Sequence, residues 1–344
     1  MTRNQQEIDK FLDRMIQTAE KDIDLAFAKR LKDILSQIAE MYRRYSEGGE
    51  LTITALNKFN RYQKEMALIS EQMTKHYKYL LQSMQELMEK TYLENYLRSA
   101  FLYEFESQQL MNYSVPSAQL LKTAIRNPIP KLTLPKLMET HRNEIVRGIG
   151  IEITQGLLAG EDYSRMARRI ENTVNFSRNK SRRVARTESH RVQNQSRLDS
   201  MEQASKFANI EKRWLSTLDV KVRDAHQKLD NKPANDDGFF KFGAMKAKAP
   251  GLWTGTWGQY NPANMNINCR CSIIALVNGK TPEVRRARNY EDPKYQQKIA
   301  DRMDQLLADG LTQKQAEKQA TKEISPPSMK IPWMSYEEWL DNRF

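Results

Sequence analysis

The sequence contains very little cysteine and no long apolar run. Cys269 and Cys271 are the only cysteines among 344 residues, and a single residue separates them. No disulfide framework can therefore connect distant segments, which favours folding in a reducing cytoplasm. No stretch of about 18 apolar residues occurs, so we expect no membrane span. The initial MTRNQQEIDKFLDRMIQ mixes acids and amides with its apolar residues, so we expect no signal peptide.

Motifs of several enzyme and DNA-reading classes are also missing. Gly148 and Gly150 lie inside a helical pattern and lack the third glycine and the lysine of a phosphate-binding loop. Nucleotide hydrolysis is therefore not supported. The sequence has no zinc-finger spacing, no heptad-linked basic region and no aromatic RNA-binding signature, so we do not expect specific readout of bases.

The charge of the chain is strongly positive. Lysine and arginine total 55 against 43 acids, which gives a formal net charge of +12. Such an excess favours polyanionic partners, which include nucleic acid, phospholipid surfaces and acidic proteins. Composition alone does not choose among them.

The N-terminal part has the apolar periodicity of long helices. Apolar residues between Ile8 and Tyr42 recur three and four positions apart, which predicts an amphipathic helix that ends near Gly48-Gly49. A second helix is predicted to start after Thr52 or Thr54, either of which could cap it. The two helices can pack as an antiparallel hairpin. We therefore predict a long-helix N-terminal domain over residues 1–112.

The rest of the chain changes character twice. Residues 113–135 contain Pro116, Pro128, Pro130 and Pro135 and are predicted to form a Pro-rich, irregular connector. Helical patterns then run from Leu137 to Leu158 and from Tyr163 to Lys206.

From Trp214 onward the sequence becomes strand-like and rich in Gly, Pro, Asn and aromatic residues, up to a predicted strand over Ser272–Val277. We predict a mainly α fold with a helical hairpin, a basic helical segment and a small C-terminal α+β lobe. The segment and the lobe form one domain over residues 136–280, and a helical, partly irregular tail follows over 281–344. The lobe is expected to be built around Trp214, His226, Trp253, Trp257 and the strand. In the tail, the segment from Trp333 to Trp339 is either a docking peptide or part of a disordered terminus.

The second long helical pattern is unusually rich in cations. Between Arg165 and Arg197, only Glu171 and Glu188 provide negative charge. Cations at this density can bind DNA phosphates without sequence preference, with an affinity that falls steeply as salt rises. The alternative interpretation is a solvated helix face. The cations are Arg165, Arg168, Arg169, Arg178, Lys180, Arg182, Arg183, Arg186, Arg191 and Arg197.

A further set of residues is spread over the same region and the lobe. In chain order it contains Arg186-Thr187-Glu188, then Trp214, then Asp219 with Arg223 and His226, and finally Asn268-Cys269-Arg270-Cys271 before the apolar strand. This order resembles the Mu F-like minor head protein family, also called phage head morphogenesis proteins, over about residues 140 to 277. Many members have His-Pro before Asn-Cys-Arg-Cys, where this chain has Asn266-Ile267. No role for a histidine, including metal ligation, is therefore expected at that place.

The resemblance implies a structural role in head morphogenesis. Members are minor components of the capsid interior that are incorporated with portal protein, scaffold or major capsid protein. They are often associated with packaged or ejected DNA. We therefore expect a virion protein, made in the host bacterial cytoplasm, that lies near the portal, binds double-stranded DNA without sequence specificity and leaves with the genome. The alternative is an adaptor whose basic face meets an acidic portal or scaffold protein and never contacts DNA.

The lobe also contains residue types that zinc accepts as ligands. These are His226, Cys269 and Cys271, with Asp219 or Asp230 as a candidate fourth. In the alternative interpretation, His226 forms a hydrogen bond inside a small core and the thiols pack as small apolar groups. Alternation along a strand would direct Arg270 to the opposite face, where it could pair with Asp219 or Glu188 and attach the lobe to the basic helix. No cofactor is expected, and zinc stays open.

Two enzymatic interpretations are weaker. His226 and Cys269 are compatible with a thiolate-imidazolium pair, but no orienting group or oxyanion site can be identified. Arg186, Thr187 and Glu188 show a faint similarity to the Arg and Glu of ADP-ribosyl transfer toxins, which are sometimes fused to this family as separate domains. The segment after residue 277 is too short for such a domain. We therefore expect a protein without enzymatic activity.

Overall fold

The N-terminal three fifths of the protein are built mainly from long helices. The computed structural model describes residues 4–46, 51–129 and 132–342. The predicted helix end at Gly48-Gly49 and the connector's Pro130 lie outside the described residues. The helices are α1 (Gln5–Tyr45), α2 (Ile53–Asn57), α3 (Arg61–Ser107), α4 (Ala118–Ile125), α5 (Leu134–Leu158) and α6 (Tyr163–Ala204).

The predicted antiparallel hairpin is formed by α1 and α3. Arg30 of α1 donates to Gln72 of α3, and Gln37 donates to Glu65. Residue numbers therefore increase along α1 while those of the partners on α3 decrease, which shows that the two helices are antiparallel. The second helix begins where Thr52 caps it, as the sequence suggested. It is then interrupted, because Phe59 and the next residue adopt positive φ before α3 begins. Phe59, which fitted the apolar stripe, is 78% exposed at this break.

The helix α6 lies against three other long helices. It runs antiparallel to α1 and α5, and its contacts with α3 are the most extensive between any two of the described elements. One apolar core cluster takes residues from α1, α3, α5 and α6, among them Phe27, Met73, Ile149 and Val184. The stretch predicted as an irregular connector contains the short helix α4, whose Ala124 joins that cluster. The division of the chain into domains stays a prediction.

The lobe contains short strands connected by long irregular segments. The strands β1 (Ile210–Leu215) and β4 (Ser272–Val277) pair antiparallel, and Trp214 lies opposite Ile273. The strands β2 (Phe240–Phe242) and β3 (Met245–Ala247) form a second pair, and α7 (Asp224–Gln227) and α8 (Pro262–Asn266) are single turns. The fold class is therefore confirmed as mainly α with a small C-terminal α+β lobe.

The expected centre of the lobe is correct except for one tryptophan. Trp214, Trp253 and His226 are buried, but Trp257 is 48% exposed. Its ring stacks on Tyr260 at the surface, and the two residues bridge each other through their backbones. This local turn holds the Trp257 ring outside the core.

The tail is folded against the lobe. It contains β5 (Val284–Arg288), α9 (Pro293–Ala308), α10 (Gln313–Glu323), β6 (Ser328–Pro332) and α11 (Tyr336–Asp341), and β6 pairs with β5. Tyr336 and Trp339 are buried next to Leu218, and the Tyr336 hydroxyl donates to the carbonyl of Asp219 at 3.0 Å. The segment expected as a docking peptide or disordered terminus therefore packs on its own chain. No helix in the described ranges is both long and apolar enough to cross a membrane.

Candidate polyanion surface and Cys-His cluster

All ten cations of the predicted basic segment lie on α6, but acids from other helices neutralise most of them. Arg182 contacts Glu20 and Asp24 of α1 at 3.4 and 3.3 Å, and Arg186 pairs with the same Glu20. Arg178 lies 3.7 Å from Asp24. The segment between Arg165 and Arg197 contains only two acids of its own, but in the folded chain α1 places further acids beside its cations.

The helix α5 supplies further counter-charges on the other side of α6. Arg169 contacts Glu152 of α5 at 3.0 Å and Glu161, in the turn between α5 and α6, at 2.7 Å. Lys180 contacts Glu144 at 2.5 Å. These pairs are partly exposed, so their main effect is to fix side-chain positions and to cancel charge at the surface.

The last two cations of the set are inside the protein. Arg191 pairs with Glu188 at 2.9 Å and also donates to the carbonyls of Ala124 and Ile125. Arg197 is 0% exposed and contacts Asp9 at 2.6 Å and the carbonyl of Ile273 at 2.9 Å. The expectation that both belong to a basic surface is corrected, because neither side chain can reach a phosphate outside the protein.

Three arginines on the surface of α6 have no acidic partner among the described residues. Arg165, Arg168 and Arg183 are exposed, and no described carboxylate lies within 4.0 Å of them. Asn172, Phe176 and Asn179 fall on the same face, and each of them is exposed. At about 1.5 Å of rise per residue, Arg165 and Arg183 are separated by about 27 Å along the helix.

The neighbouring helix adds a fourth cation to this face. Arg147 of α5 is exposed, and it lines a groove between α5 and α6 together with Asn172 and Phe176. No ion pair joins Arg147 to a described acid within 4.0 Å. We call the surface formed by Arg147, Arg165, Arg168 and Arg183 the arginine face.

A second basic region is a cleft between α1, α6, the lobe and the tail. Its volume is about 1110 Å³. In this cleft the Lys221 side chain donates to the carbonyl of Thr321. The Arg288 side chain donates to the carbonyl of Pro326 and to the hydroxyl of Ser328. Burial and neighbouring cations lower the pKa of both side chains. The cations that line the cleft are Arg182, Arg186, Lys221, Arg223, Arg270, Lys280, Arg285, Arg286, Arg288 and Lys322. Acids hold five of them, and the lining also includes Asp9, Asp13, Glu20, Glu106, Glu283 and Glu323, so cations outnumber acids there without being alone.

The residues of the family resemblance connect α6 to the lobe. The backbone N–H of Asn268 donates to the Thr187 hydroxyl at 3.1 Å, and Arg197 reaches β4. Glu188 accepts from Arg191 and from Asn127 at 2.9 Å, so its carboxylate is fully engaged within the helical part. These contacts position the segment before β4 on the helix.

Arg270 pairs with Asp219, one of the two partners that the sequence suggested. It contacts this buried carboxylate through both terminal guanidinium nitrogens, and Glu188 is not its partner, so the pair does not attach the lobe to α6. Arg223 donates to the carbonyl of Ile267 at 2.5 Å. Both arginines therefore hold parts of the lobe to each other.

Asn194 of α6 provides a contact that sequence reasoning missed. Its side chain donates to the carbonyl of Cys271 at 3.1 Å and accepts from the backbone of Ile273 at 3.2 Å. A buried asparagine that satisfies two backbone groups of a strand contributes to docking of the lobe.

The three suspected metal ligands lie together in the lobe. His226 Nδ1 is 3.6 Å from Cys269 Sγ and 3.5 Å from Cys271 Sγ, and all three residues are buried. A hydrogen bond from Cys271 lowers the pKa of Cys269, while burial raises the pKa of Cys271. None of the three lines the cleft. The arrangement therefore gives a thiolate-imidazole pair no described route to a substrate.

The two aspartates considered as a fourth ligand have other partners. Asp219 is paired with Arg270, and Asp230 contacts Arg285 at 2.6 Å inside the fold. Trp214 lies beside the cluster, where its ring meets the His226 ring edge-on at 5.2 Å and its Nε1 donates to Ser216. Aromatic rings and two sulfurs thus surround the imidazole.

Comparisons with known proteins find matches that include the lobe and extend into the helical part of the chain. A family model described as "Phage Mu protein F like protein" matches residues 147–274. The "Minor head protein GP7" of Bacillus phage SPP1 is 44% identical over 288 residues, which cover 83% of this chain and 91% of that protein.

A second relative is similar over a smaller part. The "NAD(+)--arginine ADP-ribosyltransferase EFV" of Enterococcus faecalis is 30% identical over 187 residues, 54% of this chain and 37% of that protein. Because the match leaves out most of that protein, it does not carry the transferase activity to this chain. No solved structure matches the chain.

Proposed function

The chain belongs to the phage Mu protein F-like family of phage minor head proteins, and from this premise we propose that it contacts packaged DNA through the arginine face. Its role in the head is structural. The proposed DNA contact is independent of base sequence, because the face offers guanidinium groups to phosphates, and phosphate contacts carry no sequence information directly.

One observation supports this assignment more than any other. The four arginines of the arginine face keep their charge available, whereas acids of the same chain hold Arg169, Arg178, Lys180, Arg182 and Arg186. Asn172 and Asn179 add amide donors to the same exposed strip. Arginines and amides spread over several helical turns match the repeated phosphates of a duplex backbone.

We further propose that the protein lies in the capsid interior near the portal and leaves the head with the genome. Family membership supports a position in the head. Contact with DNA phosphates is compatible with release at ejection, because such contacts are numerous, weak individually and sensitive to salt.

Charge reversal on the arginine face tests the DNA contact. The triple variant Arg165→Glu, Arg168→Glu and Arg183→Glu should lose binding to duplex DNA at low salt, measured by fluorescence anisotropy. A control with Lys294→Glu, Lys298→Glu and Lys314→Glu changes the net charge equally at exposed positions elsewhere and should retain binding. Equal behaviour of the two variants, or no binding by the unchanged protein, would contradict the proposal.

A second candidate function is that of an adaptor for another head protein. It is favoured by the cleft, which is confined to about 1110 Å³ and suits an extended acidic segment better than a rigid duplex. The variant Lys221→Glu with Arg288→Glu should then prevent incorporation into heads while DNA binding persists. Loss of incorporation in the Arg165, Arg168 and Arg183 variant alone would favour DNA as the recruiting partner.

A further inference from the structure

The Cys-His cluster brings three metal-binding atoms together from two separate segments. His226 lies on α7, and Cys269 and Cys271 lie in the turn before β4. The two sulfurs and the Nδ1 atom all lie within 4.8 Å of one another, and each of the three residues is at most 4% exposed. Such convergence in a buried place needs a physical reason.

The distances within the cluster match those of a tetrahedral zinc site. Zinc binds thiolate at about 2.3 Å and imidazole at about 2.0–2.1 Å, so tetrahedral angles place sulfur and nitrogen about 3.6 Å apart. The observed distances from His226 Nδ1 are 3.6 Å to Cys269 and 3.5 Å to Cys271. We propose that His226, Cys269 and Cys271 bind one zinc ion that stabilises the lobe.

Charge balance favours a metal that carries two positive charges. Two thiolates and a neutral imidazole compensate Zn²⁺ completely, so the loaded cluster is uncharged and can stay buried. Binding releases two thiol protons to solvent, and no electron is transferred. A cluster without metal would bury two thiols and one imidazole that can satisfy only part of their hydrogen-bonding capacity.

The architecture of the lobe gives the ion a structural task. Its paired strands are short, and β2 and β3 have three residues each. Small domains with little regular structure commonly need a metal or disulfides for stability. A zinc ion here would connect α7 to the segment before β4. The backbone pairing of β4 involves β1 and does not include α7.

Neither of the two aspartates considered as a fourth ligand is free, so the proposed site has three protein ligands among the described residues. Asp219 and Asp230 are held by arginines, so their carboxylates are engaged elsewhere. The Ser216 hydroxyl lies 3.9 Å from Cys271 Sγ, but it already accepts from Trp214 and donates to the carbonyl of His226. Ser216→Ala should therefore leave the zinc content unchanged.

The direct test is the metal content of the full-length protein. After incubation with zinc and removal of the excess on a desalting column, mass spectrometry of the metal should find about one zinc ion per chain. Cys269→Ser and Cys271→Ser should each lose most of it. His141→Gln, which changes a histidine on α5 far from the cluster in sequence, is the matched control and should retain the zinc.

A spectroscopic measurement keeps the proposal testable if the cysteine variants fail to fold. Cobalt bound to the unchanged protein in place of zinc should show thiolate-to-cobalt charge transfer in the near ultraviolet and the visible bands of a tetrahedral site. Addition of zinc should bleach both. Folded protein that takes up neither metal, or cobalt spectra without thiolate bands, would overturn the proposal. Neither outcome bears on DNA or partner binding.

Discussion

The two halves of α6 contain the same kind of side chain in opposite surroundings. In the first half, Arg165, Arg168 and Arg183 project from the protein without a described carboxylate partner. In the second half, Arg191 and Arg197 are buried, and each bonds to one carboxylate, Arg191 also to two backbone carbonyls and Arg197 to one. An arginine of the same basic stretch can therefore be an exposed surface cation or a buried connector between elements.

The comparison shows that charge along a sequence differs from charge on a surface. The stripe of acids on α1 formed by Asp9, Asp13, Glu20 and Asp24 follows the spacing of one helical face. Because α1 runs antiparallel to α6, Asp24 and Glu20 meet Arg178, Arg182 and Arg186, and Asp9 meets Arg197. Packing thus cancels much of the positive charge that the segment has on its own.

The largest effect should follow from changing a buried arginine. Arg197→Met removes the guanidinium that satisfies Asp9 and the carbonyl of Ile273, and it also loses a 3.3 Å hydrogen bond to Asn95. Among the described residues, the Asp9 carboxylate then has no ion pair and keeps only hydrogen bonds from Gln5 and Gln193, while the carbonyl of Ile273 loses its side-chain donor. We expect the free energy of unfolding to fall by about 3–5 kcal/mol, measured by urea denaturation.

The same substitution on the exposed half provides the control for this prediction. Arg165→Met removes an exposed side chain without an ion pair, so the free energy of unfolding should change by less than about 0.5 kcal/mol. If Arg165→Met and Arg197→Met destabilised the protein equally, the contrast between the two halves would be wrong.

An intermediate effect should follow from removing the acid that restrains two cations. Glu20→Gln leaves Arg186 without its ion pair and leaves Arg182 only with Asp24. Because both guanidiniums are partly exposed and can be hydrated, we expect a loss of about 1–2 kcal/mol in the free energy of unfolding. DNA affinity at low salt should rise, since Arg186 becomes available and Arg182 keeps only one of its two acidic partners.

The neighbouring Asp22→Asn variant changes the net charge equally at an exposed position of α1. It should alter both the stability and the DNA affinity less than Glu20→Gln does. Tighter DNA binding by Asp22→Asn alone would show that general charge, and not release of the paired arginines, controls the affinity.

The smallest of the three effects concerns the start of α6. The Asp162 carboxylate caps the helix by accepting from the backbone N–H of Arg165 at 2.8 Å. Asp162→Ala should lower the free energy of unfolding by about 1 kcal/mol in thermal or urea denaturation. Asp162→Asn can accept the same bond and should cost a few tenths of that amount; an equal loss would exclude capping as the cause.

Much of the fold follows from periodicity in the sequence, because long helices repeat their apolar spacing over many turns. The end of α5 at Leu158 and the strand β4 are recognisable from such patterns, and the cap at Thr52 from its residue type. The break at Phe59 cannot be predicted from the sequence, because an aromatic residue at positive φ is unfavourable and no local pattern indicates it. The exposed Trp257 is another such case, since its ring is held out of the core by a turn.

The candidate sites were only partly accessible to sequence reasoning. The residue types of the Cys-His cluster point to a common place, and the structure brings all three together. The loss of Asp230 as a ligand could not be foreseen, because Arg285 lies outside the family motif and its pairing depends on tertiary structure. The pairing of Asp219 with Arg270 was one of the two that the sequence suggested. Likewise, the acid stripe on α1 is visible in the sequence, but its partners become known only when the direction of α6 is fixed.

The salt dependence of DNA binding tests the central claim most directly. Each neutralised phosphate contributes a slope of about −0.9 in a plot of log affinity against log salt. Four available arginines predict a slope of about −3 to −4 for the unchanged protein, whereas ten would give about −9. A slope near −9 would show that the paired and buried arginines contact DNA after all, and a slope near zero would remove DNA from the account.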